Sequence, residues 1–400
     1  MSLIRSSATR RKGLGFTLIE MMVALVVSAL AATGIYEGFI STSNAFRQTK
    51  AEGNAWQQAR AAVSMITQAV ESAGYGLPMT DCSQIYSNNF QSASGGPLLL
   101  APVSAQTPTP ANLNTYDPAA SPINAVASTY ELQTVTGGGM FGSAPTTYIS
   151  KVNSTTAAAV QVQDPQLLQQ GDLFLVTMPN AVCLLGQITN PVGSGSSPTV
   201  TFNSGAAGSI YNVPNGFSAI DPAVSAAQLA NAGFINLGQG GFRVDNFYVG
   251  YRNVTATTYN DNSVPSLYMQ QYTAATTSGK LPSGILVARG VVDMQVEFGY
   301  GTQGTVTSWG PPGTQPANDV DAVKVALVVR DTRVLPHAGT RAGNTITVFA
   351  NAPGGPVNYV IPTALPSTNT TGCLAGNCSH YLYRVFKTVI PVRNVIWGQP

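Results

Sequence analysis

Four hundred residues are enough to bury a sizeable core, in one large domain or two smaller ones. Charged residues make up only 9% and the formal net charge is +2, which excludes the basic patch or stripe of a nucleic-acid binder and leaves no polybasic surface beyond the first residues. Forty glycines and 26 prolines, with many Ser, Thr and Asn, predict short strands joined by long turns, a composition that suits an exported or assembled surface protein better than a cytosolic enzyme.

The chain opens with a basic leader, residues 1–15, carrying Arg5, Arg10, Arg11 and Lys12. An apolar run follows from Phe16 to about Tyr36, long enough to span a bilayer as a helix. The basic residues before it are expected to stay cytoplasmic, which places the C-terminal bulk outside. Glu20 lies inside that run, where an unpartnered acid costs about 2–4 kcal/mol. A cut between Gly15 and Phe16 frees an α-amine four residues before Glu20, on the same helix face. That ammonium is then positioned to pair with the carboxylate, in the same chain or a neighbour.

No proline interrupts Phe39–Ser72. Phe39, Phe46 and Gly53 recur every seven residues, as do Trp56, Val63 and Val70, with Ala59 and Ile66 between them. This apolar stripe predicts that the helix continues and packs on a globular domain. Gly74-Tyr75-Gly76 and Pro78 are its stop signal. The predicted helix is about 55 residues and 80 Å long. The expected division is a leader over 1–15, a transmembrane and assembly helix over 16–38, an amphipathic continuation over 39–75 and a β-rich globular domain over 76–400.

From Cys82 to about Ala127 the sequence reads as loop. Strands are predicted at Thr129–Val135, Thr146–Val152, Ala158–Val162, Asp172–Thr177 and Ala181–Thr189. Asn190 to about Asp245 is poorly patterned, with a short helix at Ala223–Ala232. Phe247–Arg252 and Ser266–Tyr272 are expected to pair. Gly284–Tyr300 reads as one long strand. In Val320–Arg330 the residues Val323, Val325, Leu327 and Val329 share a face, and Thr345–Ala350 and Tyr381–Pro391 complete the set. No internal repeat is present.

An even count of four cysteines in an exported chain favours disulfides. The expected pairs are Cys373 with Cys378, closing a small loop, and Cys82 with Cys183, as a long-range staple. A zinc site at Cys373, Cys378 and His380 lacks a fourth ligand. With only His337 and His380 available, and neither in a nucleophile motif, no Ser-His-Asp device is expected. Gly137-Gly138-Gly139 and Gly238-Gln239-Gly240-Gly241 lack the Lys-Ser/Thr of a phosphate loop and read as turns. Asn260-Asp261-Asn262-Ser263 and Asn318-Asp319-Val320-Asp321 are oxygen-rich but do not match a calcium loop, and Asx-rich turns look the same. No catalytic residue, metal, cofactor, nucleic acid or small-molecule substrate is therefore expected.

The segment Lys12-Gly13-Leu14-Gly15, then Phe16-Thr17-Leu18-Ile19-Glu20, resembles the type IV prepilin signal. The resemblance implies that a prepilin peptidase cuts after Gly15 and methylates Phe16, and that Glu20 serves subunit assembly. The helix-then-sheet order resembles pilin-like proteins, an α+β fold in which a long N-terminal helix is covered by a largely antiparallel sheet. Within that group the chain is similar to PilW-type minor pilins. The blocks that carry this likeness are Glu71–Gly76 with Cys82, Gly171–Val176 with Cys183, Arg289–Tyr300, Val323–Arg330 and Phe386–Asn394. The regions near 88–127 and 190–245 carry none of it and read as insertions. The likeness implies a subunit that helps to initiate or cap a type IV pilus. Its implied partners are the prepilin peptidase, other minor and major pilins, and the inner membrane. The globular domain is then in the periplasm, and at the cell surface after assembly. Two other functions use the same residues: a minor pseudopilin of a type II secretion system, and an adhesin secreted after cleavage at Ala29-Leu30-Ala31. An uncleaved membrane anchor is a further reading of the apolar run.

Overall fold

The computed structural model describes residues 17–78, 82, 84–87, 98–106, 124–125, 129–138, 146–156, 158–179, 182–193, 198–204, 209–251, 264–275, 284–302, 304–313, 320–331, 345–353, 355–361, 378 and 381–393. The chain forms two compact units, Met1–Lys50 and Ala51–Pro400, and the division falls within one helix, α1 (Leu18–Ser72). Nothing in its sequence breaks a helix before Gly74. That glycine adopts φ 79°, a left-handed conformation that residues with a Cβ adopt only at a cost. Its N–H leaves the helix and donates to the Val135 carbonyl at 2.8 Å, tying the helix end to a strand.

After α1 come β1 (Gln84–Ser87), β2 (Leu98–Leu100), β3 (Val103–Gln106), β4 (Asn124–Ala125) and β5 (Glu131–Thr136). β6 (Thr147–Lys151), β7 (Ala159–Val162), β8 (Leu173–Met178), β9 (Val182–Gln187) and β10 (Thr199–Thr201) follow. A one-turn helix α2 (Ala226–Leu229) leads to β11 (Gly233–Gly238), β12 (Arg243–Tyr251), β13 (Ser266–Thr273) and β14 (Ile285–Arg289). Then come β15 (Val291–Thr302), β16 (Thr305–Gly310), β17 (Val320–Arg330), β18 (Thr345–Phe349), β19 (Val357–Val360) and β20 (Tyr383–Pro391). An eight-stranded sheet has the order β10-β7-β6-β11-β8-β9-β1-β2. A six-stranded sheet runs β14-β13-β12-β5-β3, with β4 also on β12. A four-stranded sheet runs β16-β15-β17-β20, and β18 pairs with β19. Among the described residues the pairings are antiparallel except β1 with β9. The result is an α+β fold, a long N-terminal helix followed by largely antiparallel sheets.

The second unit packs in layers. Ala55, Ala59, Ala62, Ile66, Ala69 and Val70 of α1, with Ala73 just past its end, share a core with both the four-stranded and the six-stranded sheets. β17 is buried on both faces. Val323, Val325, Leu327 and Val329 face α1, as their alternation predicts, while Ala326 and Val328 enter a second core beneath β18 with Ile346, Val348 and Tyr381. The eight-stranded sheet has one core against the six-stranded sheet and another under residues 210–234.

The expected stripe holds in part: Ala59, Ile66 and Val70 are buried and Val63 packs half-buried on the core, whereas its large aromatic members face out. Phe39, Phe46 and Trp56 are 71%, 69% and 60% exposed, while Ala51, Ala55, Ala59, Ala62, Ile66, Ala69 and Val70 are buried. Steps of three and four residues place those small side chains on one face, and alanines let the backbone approach the sheet closely. Of the residues at seven-residue spacing, Phe39, Phe46 and Trp56 lie off that face and Val70 lies on it. The loop expected over 82–127 contains β1 to β4, runs of two to four residues of which β1 and β2 pair with each other and β1, β3 and β4 with strands farther along the chain. The region 190–245 contains β10, β11 and the start of β12. Gly284–Tyr300 is two strands, because Gly290 (φ 77°) turns the chain from β14 in one sheet to β15 in another. β16 and β19 were not expected.

Candidate assembly and anchoring site

The first unit carries the chemistry that the sequence singles out. Gly15 and Phe16, the expected cleavage and methylation positions, lie outside the described residues. Glu20 is in the first turn of α1 and exposed. Thr17 closes a reciprocal cap with it. The Glu20 N–H donates to Thr17 Oγ1 at 3.3 Å, and Glu20 Oε2 accepts from both the N–H and the hydroxyl of Thr17 at 3.3 Å. The carboxylate therefore rests against the positive end of the helix dipole. Sequence reasoning weighed Glu20 alone and missed Thr17, although Thr17-Leu18-Ile19-Glu20 before an apolar run is a capping-box signature.

Behind this cap α1 is suited to an apolar surrounding. It reaches a mean hydropathy of 2.1 over 18 residues, none of them buried, and is long enough to cross a membrane. Leu18, Ile19, Met22, Leu25, Val26 and Leu30 are all exposed. The hydroxyls in the run bond to the helix backbone, Ser28 Oγ to the Ala24 carbonyl at 2.7 Å and Thr33 Oγ1 to the Leu30 carbonyl at 2.8 Å. Internal satisfaction of this sort is what hydrocarbon demands.

In the second unit Cys82 and Cys183 form a disulfide with Cα atoms 5.3 Å apart, both buried. It joins the chain just past the end of α1 to β9. Cys378 is disulfide-bonded, which removes its thiolate as a zinc ligand; Cys373, His337 and His380 lie outside the described residues. So do Asn260–Ser263 and Asn318–Asp319, while Asp321 is buried in β17. Among the described residues no three His, Cys, Asp or Glu come together as a metal site. Gly138 and Gly241 from the two glycine runs meet backbone to backbone, which fits turns.

Several acids sit inside the second unit. Burial pushes the Asp293 carboxyl up to about 6, with hydrogen bonds from Gln295 and the Met294 backbone offsetting only part of the effect. Folded Asp293 thus holds its proton more tightly than the unfolded chain, whose reference value is 3.8. Its contribution is full below that value and is lost as pH rises through about 6. Asp293→Asn should accordingly raise the unfolding free energy at pH 7 by about 2 kcal/mol and leave it nearly unchanged at pH 4. Urea unfolding of the detergent-solubilised protein at both pH values checks this; equal shifts at the two would contradict it.

Residues 10–36 match the family model of the prokaryotic N-terminal methylation motif, which spans the end of the basic leader, Thr17, Glu20 and the apolar run. Residues 247–394 match that of type IV pilus-assembly protein W, from within β12 to just past β20. The eight-stranded sheet lies outside both matches. No curated protein and no solved structure matches the chain.

Proposed function

We propose that this chain, a type IV pilin-like protein of the PilW type, is a minor pilin that helps to initiate or cap a pilus. The prepilin peptidase removes residues 1–15 and methylates Phe16. Residues 16–38 then anchor the subunit in the inner membrane, 39–75 continue the helix, and 76–400 form the periplasmic domain that reaches the cell surface on assembly. Glu20 of one subunit pairs with the Phe16 amine of a neighbouring pilin. In an apolar bundle that pairing neutralises two charges and sets axial register, because each alternative register leaves both unpaired at a cost of several kcal/mol.

One observation carries this reading: the only acid in the run Thr17–Tyr36 sits in the first turn of a helix whose apolar side chains are exposed, within the matched methylation motif. Glu20→Ala should leave cleavage at Gly15 largely intact, seen as a methylated Phe16 in the mass of the N-terminal peptide, and reduce the protein in sheared pili at least tenfold. Normal incorporation of that variant would sink the register mechanism. Deleting the gene distinguishes the pseudopilin function, because loss of secretion with twitching intact would reassign the chain.

A further inference from the structure

β20 ends the four-stranded sheet. It is nine residues long, whereas β2, β3, β10, β14 and β16 at the other sheet ends have three to six. Its pairing with β17 runs from Tyr383 to Pro391 without a register shift. Long, regular edges are what proteins ordinarily avoid leaving open. The Asp331 N–H donates to the Leu382 carbonyl and the Val392 N–H to the Asp321 carbonyl, so the even-numbered residues bond to β17. By alternation, the N–H and C=O groups of Tyr383, Val385, Lys387 and Val389 point away from the sheet. No strand among the described residues pairs with that side.

The flank of α1 lies along β20. Glu52 pairs with Arg384 and Glu71 with Arg393 at 3.0 Å, so α1 and β20 run parallel. The lengths agree: Glu52 to Glu71 rises about 29 Å as helix, and Arg384 to Arg393 about 30 Å as strand. Between the two ion pairs lie a recess of 240 Å³ at Trp56 and Phe386 and an open groove of 580 Å³ at Ser64, Thr67 and Gln68. Trp56 meets the Phe386 ring edge-on at 4.9 Å yet is 60% exposed, and Val389 is 56% exposed.

We infer that the edge of β20, which no described strand covers, receives an extended segment of a neighbouring pilus subunit as an added strand, seated against Trp56. This rests on the minor-pilin reading. Main-chain hydrogen bonds supply the pairing and alternate side chains the specificity. The charges define the partner. Glu52 and Glu71 are already matched, while Arg60 and Lys387 are exposed and have no acid beside them among the described residues. The incoming strand therefore carries an acid opposite Lys387. A second copy added antiparallel about Lys387 would set two lysines face to face, which disfavours it.

The test uses the full chain in its own cells, with a photo-crosslinking benzoylphenylalanine at position 389. The expected adduct maps to an extended, acidic segment of another pilus subunit. Val385→Pro removes one outward N–H without touching the β17 ladder and should cut the adduct at least tenfold with an unchanged melting temperature. Lys387→Glu should cut it by a similar factor and guards against a proline variant that fails to fold. An adduct to a second copy or to a helix, or one unaffected by either substitution, overturns the inference. A gene deletion that leaves piliation normal overturns the minor-pilin reading instead. Lost pili in the deletion with normal pili and undiminished adduct in the variants overturns the added strand alone.

Discussion

Replacing Cys82 and Cys183 together by alanine should lower the unfolding free energy of the second unit by about 4 kcal/mol. The bond spans 101 residues of sequence, so it removes much of the freedom of the unfolded chain, and closure entropy grows with the length closed. Both sulfurs sit in the core shared with Leu77, Ile85, Leu185 and Phe242, so lost packing adds to lost cross-linking. Alanine is the right replacement, because serine would bury two hydroxyls in an apolar setting. Guanidinium unfolding of the double variant, beside the oxidised wild type, measures the effect. A midpoint unchanged by the substitution would mean that the surrounding sheets already hold the helix end and β9 together.

Gly290→Ala should cost about 3 kcal/mol or more. Gly290 has φ 77°, and a Cβ there would lie 2.2 Å from the Arg330 carbonyl oxygen. That oxygen belongs to the end of β17, and the Arg330 N–H donates to the Gly290 carbonyl at 2.7 Å. The chain therefore has no room to retreat without breaking the corner that joins the two sheets. Urea unfolding should show a lower midpoint, and hydrogen exchange should show early loss of protection in β14 and the start of β15. Wild-type protection there would argue that the corner relaxes at little cost.

The helix, the pairing of β12 with β13 and the alternation in β17 were legible because each has one periodicity sustained over many residues. β1 to β4 were not, since runs such as Leu98–Leu100 carry no period and gain their partners only in the folded chain. The partly misplaced stripe of α1 has a different cause. Seven-residue recurrence of Phe and Trp suggests a seam, but beside Ile66 and Val70 the seam is made of alanines, and hydrophobic bulk says little about which side of a helix lets two backbones come close. The break at Gly290 was hidden by β-branched residues on both sides of it, which suit a strand whichever sheet it joins. At the N-terminus the sequence held the whole cap, and only the acid was weighed. Gly15 and Phe16 rest on the motif alone.

The parallel run of α1 and β20 also has a mechanical consequence. A pull applied to the second unit through its own part of α1, from Ala51 on, runs along that helix. In the second unit the pull acts along β15, β17 and β20 rather than across them, because Glu52–Arg384 and Glu71–Arg393 fix the helix alongside the strands. Force applied along a strand loads its ladder of hydrogen bonds in shear, so the nine paired positions of β17 and β20 share it at once instead of opening one after another. The disulfide beyond the helix end ties the chain there to β9, and so to the eight-stranded sheet, through a covalent link.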